Sequence, residues 1–287
     1  MNTTALSFVL IAAVVHAGWN LAAKRVTFGG PRFVWLYYTV SAVVLLPVVI
    51  TALLVEHERP QWTWLLAAGV TAVLHVAYGT VLQRGYAVGD LSIVYPLARG
   101  TGPLLSVLAA VLVLHEHPGV LGLIGAFLVV AGVLVISLGG SEADVKARRA
   151  GVFYGVLTGA TIAAYTLWDA HSVTTLAVPP LVYFGGGALV QSVLLAPAAL
   201  RARAEVAKLW REHRKETLIV GIASPAAYLL VLYALRMAPV SLVAPARELS
   251  IVLGGLAAWF VLGERNAARR LVGSLVVLAG IVAIAVA

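Results

Sequence analysis

The chain contains no cysteine, and charged residues make up only 11% of its 287 residues. Without cysteine, disulfides, thiolate metal sites and cysteine nucleophiles are excluded. Soluble domains are roughly a quarter charged, so an ordinary soluble fold is excluded as well. The P-loop, HExxH and GxSxG patterns are missing, which removes sequence support for ATP-driven transport and for those hydrolase mechanisms. The sequence therefore predicts no enzyme, no cofactor and no metal site.

Apolar residues supply 61% of the chain and form long runs. Each run approaches the ~20 residues that a helix needs to cross a bilayer. The sequence thus predicts an all-α integral membrane protein with ten transmembrane helices. The predicted spans are Ala5–Ala23, Phe33–Val55, Trp62–Leu82, Leu91–Leu114, Val120–Leu138, Ala150–Ala170, Pro180–Leu200, Thr217–Leu235, Val240–Leu262 and Ala267–Ala287.

Lysine and arginine are distributed unequally between the two sets of predicted loops. Of the 20 basic residues, Arg99 and Arg247 fall deep within spans and Arg59 and Arg236 in loops on one side, which leaves sixteen in the loops after spans 1, 3, 5, 7 and 9 or in the first residues of the span that follows. Basic loops stay in the cytoplasm, so both termini are predicted outside a cell (inner) membrane. The net charge of +8 then reflects topology and contact with membrane lipid, and it does not indicate nucleic-acid binding.

The chain also repeats itself, with a spacing of about 149 residues. Each half holds five predicted spans, an odd number, so the second half starts on the opposite side of the membrane. Residues 1–140 and 150–287 are therefore predicted to be two inverted-topology five-helix repeats, an arrangement typical of secondary transporters. The matched pairs include charged residues, prolines and glycines: Ser92 with Ser241, Pro96 with Pro245, Arg99 with Arg247, Glu116 with Glu264, Gly125 with Gly273, and Gly132 with Gly280.

Four segments carry a family resemblance: HAGWNLAAK in span 1, ALRMAPVSLVAPARELS leading into span 9, LGERNAARRLVGSLVVLAGI after it, and LHEHPGVLGLIGAFLVVAGV in the first half. With them the chain resembles the EamA-type ten-helix permeases of the drug/metabolite transporter superfamily. The resemblance implies a secondary active carrier of small metabolites, by exchange or with proton coupling, and often an exporter. Many relatives have their termini inside, whereas the charge distribution of this chain predicts the opposite orientation.

Two arginines stand out because they fall deep within predicted spans. Arg99, in the segment YPLARGTGP, lies roughly 12 Å along the helix from Leu91, and Arg247 is similarly deep in span 9. A guanidinium in hydrocarbon costs several kcal/mol or more unless it faces a cavity or a partner. At the interface of two repeats, the pair predicts a site for a carboxylate, phosphate or phosphonate. The alternative is that each arginine snorkels or belongs to a structural ion pair.

Further polar and aromatic residues recur near the same depth. Glu248, which follows Arg247, is expected either to pair with another helix or to carry a proton. His16 and Asp169 are expected either to couple protons or to hold helix contacts and a helix end. The predicted substrate-binding residues are Arg99, Arg247, Tyr95, Trp19, Asn20, Trp168, His75, Tyr78 and Tyr228, and the candidates for proton coupling are His16, Asp169 and Glu248.

The segment HEHP at 115–118 resembles a metal site, but its repeat counterpart GERN keeps only the glutamate. Glu116 and Glu264 are therefore predicted to bond helix ends. The predicted function is a transporter of a small anionic or zwitterionic metabolite that works by alternating access. The alternative is an intramembrane enzyme, or an accessory protein that handles lipid phosphate. The sequence makes no prediction of oligomeric state.

Overall fold

The computed structural model describes residues 1–23, 25–26, 30–55, 57, 59–89, 91–137, 145–253 and 267–287. All regular secondary structure within these ranges is helical. The helices, numbered in chain order, are α1 (Thr3–Ala23), α2 (Gly30–Val55), α3 (Trp62–Val88), α4 (Leu91–Leu112), α5 (Gly119–Ser137), α6 (Val145–Thr174), α7 (Pro180–Arg201), α8 (Arg203–Leu235), α9 (Val240–Ala246) and α10 (Ala267–Val286).

Seven of these helices are long and apolar enough to cross a membrane. They are α1, α2, α3, α4 over Ile93–Leu112, α6, α7 and α8. Two shorter apolar stretches, Gly119–Val135 in α5 and Leu271–Val286 in α10, accompany them. Side chains such as Leu54, Leu65 and Phe127 are two-thirds or more exposed, as expected for surfaces that face lipid. The protein is an integral membrane protein.

The bounds of α6 and α8 differ clearly from the predicted ones, and α3 ends at Val88 rather than Leu82. α6 begins at Val145 and continues to Thr174, beyond both predicted ends. α8 begins at Arg203 rather than Thr217, and His213 has a non-helical backbone (φ −128°, ψ 30°) that separates a polar first part from the apolar remainder. Leu209 in the polar part packs against a small apolar cluster with Phe33, which gives this segment a buried side to fold against.

α9 ends much earlier than predicted. Its last helical residue is Ala246, and the chain turns at Arg247 and Glu248 before helical residues resume at 249–253. Pro245 has no N–H to donate to the preceding turn of the helix. The N–H of Glu248 bonds to the carbonyl of Pro245 at 2.9 Å, which is an i to i+3 bond rather than the i to i+4 bond of an α-helix. Residues 254–262 of the predicted span lie outside the described part of the chain. The break thus comes at the deep arginine.

The helices pack in matched pairs between the two halves. α1 packs on α8 as α6 packs on α3, and α2 packs on α8 as α7 packs on α3. Three further contacts join equivalent helices of the two halves: α2 with α7, α4 with α9, and α5 with α10. α4 also packs along α6, so these two helices and α9 adjoin one another.

α5 and α10 approach most closely at glycines. A Cβ added to Gly125 would lie 2.7 Å from the carbonyl oxygen of Gly280, and one added to Gly132 would lie 2.7 Å from that of Gly273. Because the higher number on α5 pairs with the lower on α10, the two helices run antiparallel. Small residues at such crossings let helix backbones touch within a membrane.

The two ends of the bundle differ in character. At one end, which we name the terminal end, the Met1 amino group bonds to the Ile284 and Ala285 carbonyls at 3.4 and 3.3 Å. At the other, which we name the basic end, Arg32 forms an ion pair with Glu205 at 2.7 Å.

Burial differs between the two ends as well. The buried positions of α1 lie between Ala5 and Ala13, and those of α3 lie between Trp64 and Ala72 with the single addition of Gly85. Both sets belong to the halves of these helices nearest the terminal end. The remaining, basic-end halves of α1 and α3 carry half-buried and exposed side chains. The bundle is therefore closed at the terminal end, and α1 and α3 are less tightly packed toward the basic end.

Candidate substrate site

The centre of the site is a cluster of two arginines and one glutamate, supplied by α4 and by the turn after α9. Arg99 Nη2 lies 3.1 Å from Glu248 Oε2, and Arg247 Nε lies 3.9 Å from Glu248 Oε1. The Glu248 side chain is 1% exposed, Arg247 is 7% exposed and Arg99 is 15% exposed. The turn at residues 247 and 248 lets neighbouring side chains of opposite charge meet at one place.

Among the described residues, two cations share one carboxylate in this cluster, so the cluster carries an excess positive charge. Burying charge is costly unless it is paired and hydrogen-bonded. Yet Arg99 Nε and Glu248 Oε2 have no hydrogen-bond partner among the described residues, even though Glu248 Oε2 is within ion-pair distance of Arg99. The cluster thus has both the charge and an unused donor, Arg99 Nε, to bind an anion, and a planar guanidinium suits a carboxylate or a phosphate oxygen pair.

An aromatic wall adjoins the cluster. Tyr165 on α6 is buried and interacts electrostatically with both arginines, with Glu248 and with Asp169. His75 on α3 stacks on its ring at 4.2 Å between centroids, and Tyr78 meets the same ring edge-on at 5.6 Å. Tyr165 therefore lies between the positively charged cluster and a second polar group on its own helix.

That second group is Asp169, which is fully buried. Three hydroxyls from three helices donate to its carboxylate: Thr71 of α3 at 2.7 Å and Tyr183 of α7 at 2.6 Å, both to Oδ1, and Tyr228 of α8 to Oδ2. Thr71 Oγ1 in turn lies 3.0 Å from His75 Nδ1. We name Asp169, Thr71, Tyr183 and Tyr228 the hydroxyl cage.

The residues predicted on α1 are only partly brought to this site. His16 is half-buried and interacts electrostatically with both Arg99 and Arg247. Trp19 meets the His16 ring at 4.6 Å, and its Nε1 is buried without a partner in the described chain. Asn20 is exposed and donates to the His16 carbonyl of its own helix at 2.7 Å, so the structure does not bring it to the cluster.

Two other predicted residues occupy the margin of the site. Trp168 Nε1 donates to the Ala67 carbonyl at 3.1 Å, which joins α6 to α3 on the terminal side. Tyr95, 40% exposed, interacts electrostatically with Arg99 from one helical turn away. The structure thus gathers Arg99, Arg247, Glu248, His16, His75, Tyr78, Asp169 and Tyr228 and leaves Asn20 apart.

Three members of the arrangement are not among the predicted site residues. Tyr165 could have been found, because it is the repeat counterpart of His16 and lies one turn before Asp169. Thr71 lies one turn before His75, a weaker signal of the same kind. Tyr183 lies at the start of α7 and carries no sequence signal that we can identify.

Glu116 has the predicted helix-end role. Its carboxylate accepts the backbone N–H groups of Val240 and Ser241, both at 2.8 Å, and the Ser241 hydroxyl at 2.6 Å. A negative charge at the start of α9 also complements the helix dipole. The prediction for Glu116 is confirmed, whereas Glu264 lies outside the described residues. In the described part of the chain, no group of three or more potential ligands is placed to hold a metal.

Comparison with known proteins identifies the family. The EamA-like transporter family matches residues 3–138 and again residues 149–286. A solved structure described only as "Crystal structure of protein" superposes with a TM-score of 0.78 at 16% identity, covering 100% of this chain and 98% of the other, a likeness that shows the fold alone. No curated protein matches the chain. The chain belongs to the EamA-like transporter family of the drug/metabolite transporter superfamily, whose members are membrane transporters rather than enzymes.

Proposed function

We propose that this protein is a secondary active carrier of a small anionic or zwitterionic metabolite, and that it works by alternating access between two inverted five-helix repeats. The carrier has ten spans, with α9 and the residues that follow it forming the ninth. Substrate docks between the halves at the Arg99–Glu248–Arg247 cluster, and rocking of the halves exposes this cluster to each side of the membrane in turn.

The glycine contacts of α5 and α10 support the inverted relationship. In the sequence repeat, Gly125 corresponds to Gly273 and Gly132 to Gly280. Exchanging the halves therefore converts the contact of Gly125 with Gly280 into the contact of Gly273 with Gly132, which is the other contact observed. A twofold axis between the helices produces this pairing, and because the helices run antiparallel, the axis lies in the membrane plane.

The observation that carries the proposed substrate class is the two-to-one ratio of cations to carboxylate in the cluster. A purely structural ion pair would balance its charges, since each unpaired buried charge is costly. Here the excess charge lies where equivalent helices α4 and α9 meet, next to the aromatic rings of Tyr165 and Tyr78. A metabolite with one acidic group and a small organic body fits these two surfaces.

Orientation and direction complete the proposal. We expect the basic end in the cytoplasm and both termini outside the cell (inner) membrane, with export or exchange as the direction. The exposed Trp210 beside Lys208 and Arg211 in the polar part of α8 suits contact with anionic membrane lipid. The conformation described, with its closed terminal end, would then be the one in which the cytoplasmic side is the less tightly packed.

The test has two stages. A thermal-shift screen of purified protein against amino acids, carboxylates, organic phosphates and phosphonates should show stabilisation by one class of anion. Proteoliposomes should then carry that compound down its gradient, with flux lost in Arg99→Gln and in Arg247→Gln. Arg236→Gln, the same change at an exposed arginine, is the matched control and should keep full flux. Unchanged flux in both cluster variants would refute the site.

A further inference from the structure

The three candidates for proton coupling, Glu248, His16 and Asp169, are buried or half-buried near the substrate site, and their surroundings differ. Glu248 forms ion pairs with two guanidiniums. His16 is half-buried and interacts electrostatically with the same two guanidiniums. Asp169 differs from both, because its hydrogen-bond partners are neutral hydroxyls and it is fully buried. Neutralising Asp169 would therefore alter the contacts of three other helices at once.

A chain of hydrogen bonds joins Asp169 to a half-buried imidazole. His75 Nδ1 lies 2.9 Å from the carbonyl oxygen of Thr71 and 3.0 Å from the Thr71 hydroxyl. A carbonyl only accepts, so Nδ1 carries the hydrogen and Nε2 keeps a free electron pair. The Thr71 hydroxyl donates to Asp169 Oδ1 at 2.7 Å. His75 thus connects the part of α3 that is less tightly packed to a carboxylate that solvent does not reach.

The hydroxyl cage also joins the two halves of the protein. Thr71 belongs to the first repeat, whereas Asp169, Tyr183 and Tyr228 belong to the second, and Trp168 adds its bond to Ala67 beside them. Asp169 lies one turn from the terminal end of α6, next to the large apolar cluster that closes this end. Rocking of the halves that opened the terminal end would have to separate Thr71 from Asp169.

We propose that Asp169 is the proton-binding group of the carrier, that His75 and Thr71 deliver its proton, and that its ionised form holds the terminal end closed. This inference rests on the proposed function and assigns its coupling group. A proton enters at His75 Nε2, the Nδ1 hydrogen passes to Thr71 Oγ1, and the Thr71 hydroxyl hydrogen passes to Asp169 Oδ1. The products are a neutral imidazole with its hydrogen on Nε2 and a neutral carboxylic acid.

Protonation loosens the cage because hydrogen bonds to a charged acceptor are roughly twice as strong as neutral ones. A carboxylic acid also carries a hydrogen on one of its oxygens. The two oxygens of Asp169 would then no longer accept equally well from the three hydroxyls. The charged and titratable groups that surround Asp169 are Tyr165 on its own helix, Tyr183 of α7, Tyr228 of α8, His75 of α3 through Thr71, and Arg99 of α4 with Arg247 beyond α9 through Tyr165.

The test uses the absence of native cysteine, which makes introduced thiols the only labelling sites. Gln61→Cys before α3 and Thr175→Cys after α6 are exposed positions at the terminal end, one in each half. Spin labels on this pair report the separation of the halves by electron–electron distance measurement, without any substrate. From about pH 8 to about pH 5, the ratio of long to short distances should rise by up to about tenfold per pH unit, the limit for one linked proton.

Substitutions show which residue causes the pH response of the distance. Asp169→Asn should give the long distance at every pH, and Tyr228→Phe should weaken the cage and move the transition to higher pH. Glu212→Gln, at an exposed carboxylate, is the control and should behave as the parent. A pH response that survives Asp169→Asn, or that disappears instead in Glu248→Gln, would overturn the proposal. Because no substrate is present, failure of the carrier proposal would show separately, as absent flux.

The relay is tested by rate, since a delivery path changes how fast equilibrium is reached. After a rapid drop in pH, opening should slow by at least about tenfold in Thr71→Val and in His75→Phe, which keeps a ring against Tyr165. Thr71→Ser restores the hydroxyl and should restore the parent rate. Equal rates in the parent, Thr71→Val and His75→Phe would show that protons reach Asp169 by another path and would refute the relay.

Discussion

Glu248→Gln is the sharpest test of the charge arrangement, because it removes the carboxylate that two guanidiniums share. At an effective dielectric constant of about 20, the 3.1 Å contact with Arg99 is worth about 5 kcal/mol and the 3.9 Å contact with Arg247 about 4 kcal/mol before desolvation. Removing one partner of a buried ion pair generally costs about 3–5 kcal/mol. Since Glu248 serves two cations, we expect a loss of at least about 3 kcal/mol in the free energy of unfolding.

The measurement is unfolding in mixed micelles with increasing dodecyl sulfate at constant salt, followed by the fluorescence of the native tryptophans. Glu205→Gln is the matched control, because its 2.7 Å pair with Arg32 is 60% and 40% exposed and should contribute at most about 1 kcal/mol. Inorganic phosphate should stabilise Glu248→Gln more than the parent, because the substitution leaves two guanidiniums without a negative partner. A loss below about 1 kcal/mol, or no added effect of phosphate, would refute the shared-carboxylate reasoning.

Three further predictions address the fold and its orientation. Gly125→Ala brings a Cβ to 2.7 Å from the Gly280 carbonyl oxygen and should cost about 1–3 kcal/mol in the same unfolding assay, whereas Gly69→Ala, with nothing within 4 Å, should be neutral or stabilising by up to about 1 kcal/mol. Glu116→Gln weakens the charge-assisted bonds to Ser241 and its neighbour and should cost about 1.5–3 kcal/mol, so a loss within measurement error would contradict its helix-end role. A cysteine added at either terminus should react with an impermeant maleimide applied outside intact cells, and labelling only after lysis would reverse the proposed orientation.

The helices themselves could be predicted, because long apolar runs have few other stable forms in lipid. Their ends could not be predicted as well, because a proline within a span does not by itself show whether the helix continues. Pro47, Pro197 and Pro225 lie inside α2, α7 and α8, which continue through them, whereas α9 ends one residue after Pro245. Neighbouring helices decide whether the freed carbonyl is satisfied, and a single span of sequence does not contain that information.

Some features of the site could likewise be predicted from the sequence, and others could not. The depth of Arg99 and Arg247 follows from counting residues along a span, so both were predicted. The partner of Glu248 was not, because it lies on α4, far away in the sequence, and helix adjacency decides the pairing. Asp169 was identified as unusual from its type and depth alone, but the hydroxyls of Thr71 and Tyr183 come from helices whose faces only tertiary packing sets.

The two halves match in the sequence repeat, but the hydrogen bonds of one matched pair are unequal. Asp169 gathers hydroxyls from three helices, and its counterpart Asn20 bonds only to its own helix among the described residues. If the two halves exchange roles during each transport cycle, identical halves would give two resting conformations of equal free energy. Because only one half carries this carboxylate, the two conformations differ in free energy. Each difference of about 1.4 kcal/mol changes the ratio of their populations about tenfold. Asp169 would therefore determine which side of the protein is open at rest, and the local pH would change that preference.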